Sequence, residues 1–232
     1  MSSRLQGKGA LVTGATSNIG RAIAAAFAAE GASLVLMDLH EEHLRSAYGN
    51  EDKARRFAPA DLRDAQSVAR ALPADIRVDV LCNIAGGFRM GQAVHETGDD
   101  TWDLMLGLNA RSVVNCARAV VPRMLAAGGG KIVNIGAIAA LSGKANMGAY
   151  VASKSAVIRL TETMAAELRD KGINVNCVLP STIDTPQNRK DMPKADPKRW
   201  VAPESLADVV LFLASDAARA IHGASIPVAG LS

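Results

Sequence analysis

The chain has 232 residues, enough for one large domain or two small ones, and its 26 Lys and Arg nearly balance 23 Asp and Glu. With 49% apolar and 21% charged residues it is not a disordered chain, and two Trp, two Tyr and four Phe are too few for a base-stacking platform. The net charge of +3 is spread without a basic run, and no apolar run approaches the roughly 18 residues of a membrane helix, so neither a nucleic acid nor a membrane is expected as a partner.

In chain order, short apolar runs alternate with helical patterns. Strands are predicted at Ala10–Val12, Ser33–Met37, Arg56–Ala58, Val78–Cys82, Ile132–Ile135, Val175–Leu179 and Ser225–Val228. Most of these runs lack a polar residue at every second position, as strands covered on both faces do. Between them, Ile19–Ala29, Asp64–Leu72, Leu108–Ala126, Ala149–Arg169 and Pro203–Ala214 place apolar residues at helical spacing. This alternation predicts right-handed crossovers and an α/β doubly wound fold, a seven-stranded parallel sheet with helices on both faces. Gly128–Gly130 reads as a helix stop, and no linker or repeat divides residues 1–232, so a single domain is expected. Pro180–Pro203, with Pro186, Pro193 and Pro197 inside it, is too long for a tight turn and is a candidate lid or binding loop.

Met1–Gln6 carries no signal-like apolar stretch, and the three cysteines are scattered, so the chain reads as cytoplasmic. Cys82, Cys116 and Cys177 each sit in an apolar stretch and are expected to be buried thiols. His40, His43, His95 and His222 show no liganding pattern, and His40 and His43 lie in a polar segment that reads as solvated; no metal is expected.

The segment Thr13–Gly20 (TGATSNIG) follows the first strand and opens the first helix. At such a junction the chain must turn sharply and let a diphosphate approach the positive end of a helix. Gly14 permits the turn and Gly20 permits close helix–sheet packing, which together point to dinucleotide binding of the Rossmann type. Asp38, closing the second strand, can accept hydrogen bonds from an adenosine ribose diol and would repel a 2′-phosphate. No Arg or Lys stands beside it or in the glycine loop before Gly20, so NAD(H) is favoured over NADP(H).

Tyr150 and Lys154 are four apart on a predicted helix, hence on one face and one turn apart. A free phenol has a pKa near about 10 and is a poor base at neutral pH. A nearby ammonium and the positive nicotinamide of NAD⁺ both favour phenolate, so the spacing predicts a Tyr150 pKa lowered toward the working pH. Tyr150 can then exchange a proton with substrate while hydride moves at the nicotinamide.

Six landmarks in order, Thr13–Gly20, Asp61-Leu62, Asn83-Ile84-Ala85-Gly86, Asn109, Tyr150–Lys154 and Pro180–Thr185, give a chain that resembles the short-chain dehydrogenase/reductase family over nearly its full length. The resemblance implies a catalytic set of Tyr150, Lys154 and Asn109, in which Lys154 also holds the nicotinamide ribose and Asn109 kinks its helix and anchors a water leading to Lys154. It implies a cofactor lined by Gly14, Ser17, Asn18, Ile19, Gly20, Asp38, Asp61, Leu62, Asn83, Ala85, Gly86, Tyr150, Lys154, Pro180, Ile183 and Thr185. Within that set, Asp61 and Leu62 would flank the adenine, while Ile183 and Thr185 would hold the nicotinamide. It also implies a homodimer or homotetramer packed through helices 108–126 and 149–169, which carry more apolar positions than one sheet face requires.

The chain departs from the family pattern at several places. Ala137 stands where the family usually places a catalytic Ser, a donor whose loss can cost a few kcal/mol of transition-state stabilisation (on the order of 3). Ser142 is too far along to be substituted for it. Ser181 replaces a Gly after Pro180, Ala229 replaces an Asp near the last strand, and Asn18 in the glycine loop is expected to tolerate left-handed backbone. Leu81–Phe88, Gly136–Gly143 and Leu179–Trp200 resemble the dihydropteridine reductase subgroup, which also has Ala in place of Ser and uses NADH. The expected substrate is a small molecule: a quinonoid dihydropteridine-like or other conjugated ring, or an ordinary carbonyl or alcohol (3-oxoacyl-type). The alternative of another class is a dinucleotide-binding sensor whose catalysis is impaired.

Overall fold

Alternate residues of each strand face opposite sides of one sheet. In the computed structural model, which describes residues 3–231, β1 (Gly9–Thr13) sends Ala10 and Val12 to one side and Leu11 to the other. In β2 (Ser33–Met37), Leu34 and Leu36 join the first side and Val35 and Met37 the second. The central β4 (Val80–Asn83), β5 (Gly130–Ile135) and β6 (Ile173–Pro180) follow the same rule, and β3 (Arg55–Phe57) and β7 (Ser225–Val228) form the edges. All neighbouring strands are parallel, in the order β3–β2–β1–β4–β5–β6–β7.

Two apolar faces require two covering layers. One is built by α1 (Asn18–Ala29) and α8 (Pro203–Ala214), through Ile23, Phe27, Leu206 and Val210. The other is built by α3 (Ala65–Ala71), α5 (Ser112–Ala126) and α6 (Gly148–Leu168), through Val68, Cys116, Val120, Met124, Ala165 and Leu168. The sequence therefore predicts the fold class correctly. All three cysteines are unpaired and buried as expected, and among the described residues no helix is long and apolar enough to cross a membrane.

The departures from expectation are local. β3 begins one residue earlier than the apolar run, at Arg55. Helix α2 (Glu41–Tyr48) was not predicted because its polar sequence buries only Leu44. The expected helix at 108–126 is the end of a longer assembly: α4 (Asp99–Met105) passes through a widened π turn, Leu106–Arg111, into α5. The Pro180–Pro203 stretch contains α7 (Pro186–Asp191), capped by Thr185.

A buried polar chain fixes the layers against each other. Asn83 Nδ2 donates to Asn134 Oδ1 at 2.8 Å, and Asn134 Nδ2 donates to Thr161 Oγ1 at 2.8 Å, linking β4, β5 and α6. The order of strands reverses between β1 and β4, so a crevice opens at their carboxyl ends. Phe27 is fully buried in the α1–sheet layer; Phe27→Ala should lower unfolding free energy by about 3–5 kcal/mol in urea denaturation.

Candidate active site

The crevice begins at the glycine loop. Gly14 has φ +60°, and a Cβ there would lie 2.8 Å from Ala85 Cα, so the position needs glycine for both conformation and space. Ser17 Oγ accepts from Gly20 N at 3.0 Å and donates to Gly14 O at 2.8 Å, capping α1. A Cβ on Gly20 would run into Gly14 O. Ser17 and Asn18 are exposed and Ile19 half-buried, so the positive end of α1 lies at the crevice. Asn18 is the first helical residue and adopts no left-handed backbone, so the tolerance expected of it is not called upon.

Asp38 is held from two sides. Its Oδ2 accepts from Thr16 N at 2.9 Å and Thr16 Oγ1 at 2.7 Å, and its Oδ1 from Leu39 N at 2.8 Å. A carboxylate accepts about four hydrogen bonds, so Asp38 is oriented with capacity in reserve. Asp61 is less available than expected. Arg63 engages its carboxylate through its backbone N, Nε and Nη2 at 2.9, 3.0 and 2.8 Å, and this pairing holds the Asp61 pKa below the usual carboxylate range. Leu62 is buried, and its carbonyl accepts from Asn115 Nδ2 at 2.9 Å.

Thr13 Oγ1 accepts from Ile84 N at 3.0 Å and Ala85 N at 3.2 Å, folding the segment after β4 across the end of β1. A Cβ on Gly86 would lie 2.6 Å from Asn109 Oδ1 and 3.1 Å from Lys154 Nζ, so these three residues converge. Asn109, in the π turn and 1% exposed, donates from Nδ2 to Ser153 Oγ at 2.8 Å and Gly87 O at 3.1 Å, and accepts from Gly87 N at 2.9 Å. It lies where the helical path widens into a π turn.

On α6, Lys154 is 6% exposed and donates to Ile135 O at 2.8 Å. Burial lowers its pKa to about 8. One turn before it, Tyr150 packs edge-on against Phe88, with ring centroids 4.8 Å apart and planes at 82°. Burial pushes the Tyr150 phenol up to about 12. The lowered phenol pKa expected from the Tyr–Lys spacing is therefore not a property of the protein by itself. The Lys154 ammonium is directed to a backbone carbonyl, and desolvation alone governs Tyr150.

Ala137 is buried beyond the end of β5 and offers a methyl group where a hydroxyl was sought. Ser142 lies past the next turn and is exposed. At the other end of the crevice Pro180 closes β6, Ile183 is buried and bridges to Val201, and the Thr185 hydroxyl accepts from Asn188 N at 3.2 Å as the α7 cap. Two sequence departures meet here: Ser181 Oγ donates to Ala229 O at 2.7 Å. The thiols are inert to ionisation near neutral pH, since burial pushes Cys116 to about 12, Cys177 to about 11 and Cys82 higher still. Among the described residues no group of His, Cys, Asp or Glu could hold a metal ion.

The structure thus gathers Gly86, Asn109 and Lys154, with Tyr150 one turn along α6, beside the glycine loop and Asp38. It leaves Asp61 engaged elsewhere. Thr16, Phe88 and Ser153 make site contacts that the sequence does not single out; all three lie inside the motifs read from sequence, but the Phe88 contact with Tyr150 depends on loop conformation. The donor set fits a nicotinamide dinucleotide: a helix N-terminus for diphosphate, a fixed carboxylate for a diol, and a buried ammonium beside a phenol.

The family model for short chain dehydrogenases matches residues 8–196. A D-threitol dehydrogenase of Mycolicibacterium smegmatis is 39% identical, covering 98% of this chain and 93% of its own. Carveol dehydrogenase from Mycobacterium avium, solved in complex with NAD, superposes with TM-score 0.88 at 29% identity, over 97% of each chain. A gluconate 5-dehydrogenase from Burkholderia cenocepacia, solved with NADP and tartrate, gives TM-score 0.90 at 30% identity over 99% of this chain and 96% of that one.

Replacing Asn109 with Ala removes its bonds to Gly87 and Ser153 and leaves polar groups without partners. The variant should lose about 1–3 kcal/mol of stability, and hydrogen exchange at the Gly87 amide should accelerate. Unchanged exchange there would contradict the bridging role.

Proposed function

The chain belongs to the short chain dehydrogenase family of oxidoreductases, and from that membership we propose an NAD(H)-dependent enzyme, acting as one dinucleotide-binding domain, in which Tyr150 is the general acid/base. The observation that carries the reading is the convergence of Gly86, Asn109 and Lys154 next to Tyr150 at the carboxyl ends of β4 and β5. A bound nicotinamide supplies or accepts the hydride. Tyr150 passes a proton between its hydroxyl and a substrate oxygen or nitrogen. Lys154 provides positive charge beside that phenol and a donor for the nicotinamide ribose, and Asn109 fixes the segment that carries Gly86 and Gly87. Gly14, Ser17, Asn18, Ile19 and Gly20 take the diphosphate, while Asp38 takes the adenosine ribose. The Thr16 grip on Asp38, with no basic side chain in that contact, supports NAD(H) over NADP(H).

At the substrate end, a buried Ala137 and the apolar Phe88, set against Tyr150 and 49% exposed, favour a flat conjugated ring such as a quinonoid dihydropteridine-like molecule. Such a substrate accepts its proton at a ring heteroatom and presents no lone ketone oxygen to a serine. A second reading, reduction of a carbonyl or oxidation of an alcohol, is favoured by the alcohol-dehydrogenase names of the relatives. The intact Tyr150–Lys154–Asn109 arrangement speaks against a sensor without catalysis. We place the enzyme in the cytoplasm as a homodimer or homotetramer through helices 108–126 and 149–169, consistent with the exposed Leu106 and Leu125 on that helical path.

Assaying NADH oxidation against quinonoid dihydropterin and a carbonyl panel, and NAD⁺ reduction against alcohols, separates the two substrate readings. Ala137→Ser should raise activity only if carbonyls are the substrates. Tyr150→Phe should lower turnover by about 10²–10⁴-fold while NADH binding is kept; unchanged turnover removes the assigned role. The pH dependence of kcat/KM reports the free enzyme. With Tyr150 near 12 and Lys154 near 8, reduction should be flat through neutral pH and decline above about pH 8 as Lys154 loses its charge. Oxidation, which needs phenolate, should rise with pH through the neutral range.

A further inference from the structure

We infer that Tyr48 is a positioning residue for the adenosine end of the cofactor site, its hydroxyl fixing the peptide through which Thr16 orients Asp38. The inference rests on reading the glycine loop and Asp38 as the NAD(H) site. Tyr48 ends α2, the helix whose polar sequence gave no sign of a role, and its Oη donates to Ala15 O at 2.6 Å. The Ala15 carbonyl and the Thr16 N–H belong to one planar peptide unit and point in opposite directions. Fixing the oxygen therefore fixes the direction of the N–H, which donates to Asp38 Oδ2 at 2.9 Å. Polarisation along this chain, from phenol through peptide to carboxylate, strengthens both bonds.

The residues on either side of that peptide are held as well. Ala15 N donates to Met37 O at 3.2 Å, and the Thr16 hydroxyl donates to the same Asp38 oxygen at 2.7 Å. Tyr48 is itself propped by Arg55, whose guanidinium lies 5.9 Å from the ring centroid and contacts Asp52 Oδ2 at 3.3 Å. The charged groups acting on the phenol come from three elements: Arg21 on α1, Asp38 after β2 and Arg55 on β3. Burial outweighs them and pushes Tyr48 up to about 12, so its hydroxyl remains a donor throughout the working pH range.

A side chain that merely stabilised the fold would affect cofactor binding equally whether or not Asp38 were present. NADH and NADPH are titrated by reduced-nicotinamide fluorescence into wild type, Tyr48→Phe, Asp38→Ala and the double variant, with melting temperatures measured in parallel. Phe keeps the ring and removes only the hydroxyl. In the native background Tyr48→Phe should raise the NADH Kd by about five- to tenfold and narrow the preference over NADPH. In the Asp38→Ala background the same change should alter the NADH Kd by less than about twofold, since the group being positioned is gone. An NADH Kd within twofold of wild type in the single variant overturns the inference, as does an equal loss in both backgrounds. A wild-type protein that binds no NADH differs from both outcomes: it removes the cofactor reading itself, and the role of Tyr48 with it.

Discussion

An ammonium group taken out of water requires acceptors, and Lys154 has one from the chain, the carbonyl of Ile135. Its charge is consequently the least comfortable in the crevice, with a pKa brought down to about 8 by burial. The face of α6 that carries the lysine is oriented by Thr161 against Asn134 and by Ser153 against Asn109. The phenol one turn earlier is shifted the opposite way by the same desolvation. Both shifts favour the neutral forms, so the protein alone holds no preformed phenolate–ammonium pair. In the NAD(H) reading proposed above, activation of Tyr150 would come with the bound cofactor, whose positive charge and ribose hydroxyls would change the balance.

The two ends of the crevice are built by different means. The glycine-loop end relies on backbone and short side chains: a left-handed Gly14, a serine cap, and a peptide whose two polar groups are both engaged. The end beside Tyr150 relies on loops. Gly91 N donates to Asn146 O at 2.8 Å, joining the segment after Gly86 to the one before α6, and Asn146 itself has φ +59°. From these loops Phe88, Met90 and Leu141 project as exposed apolar groups. The apolar groups at this end are therefore placed by loop conformation, whereas the glycine loop at the other end is placed by the sheet.

Sequence periodicity revealed the sheet and the long covering helices because buried strands and amphipathic helices leave distinct apolar spacing. It did not reveal α2, where one buried leucine among polar residues gives no stripe, nor α7, hidden among prolines. The candidate site was legible as motifs where its residues are close in sequence: the glycine loop, Asp38, and Tyr150 with Lys154 four residues on. Asn109 could be placed within a helix from sequence, but its π turn and bridge to Gly87 and Ser153 depend on contacts distant along the chain. In the protein without cofactor the spacing of Tyr150 and Lys154 does not by itself lower the phenol pKa, for a physical reason. Spacing on a helix shows that two groups are neighbours, and it says nothing about whether the charge of one is directed at the other or how deeply both are desolvated.

The most direct test of the account is the ionisation of the Tyr150 phenol itself. A difference ultraviolet titration between the native protein and Tyr150→Phe isolates that group, and it can be repeated with saturating NAD⁺. A phenol near 12 in the free protein that falls by a unit or more with NAD⁺ bound is the predicted result. An ordinary value near about 10 in the free protein, or the same value with and without NAD⁺, would contradict it.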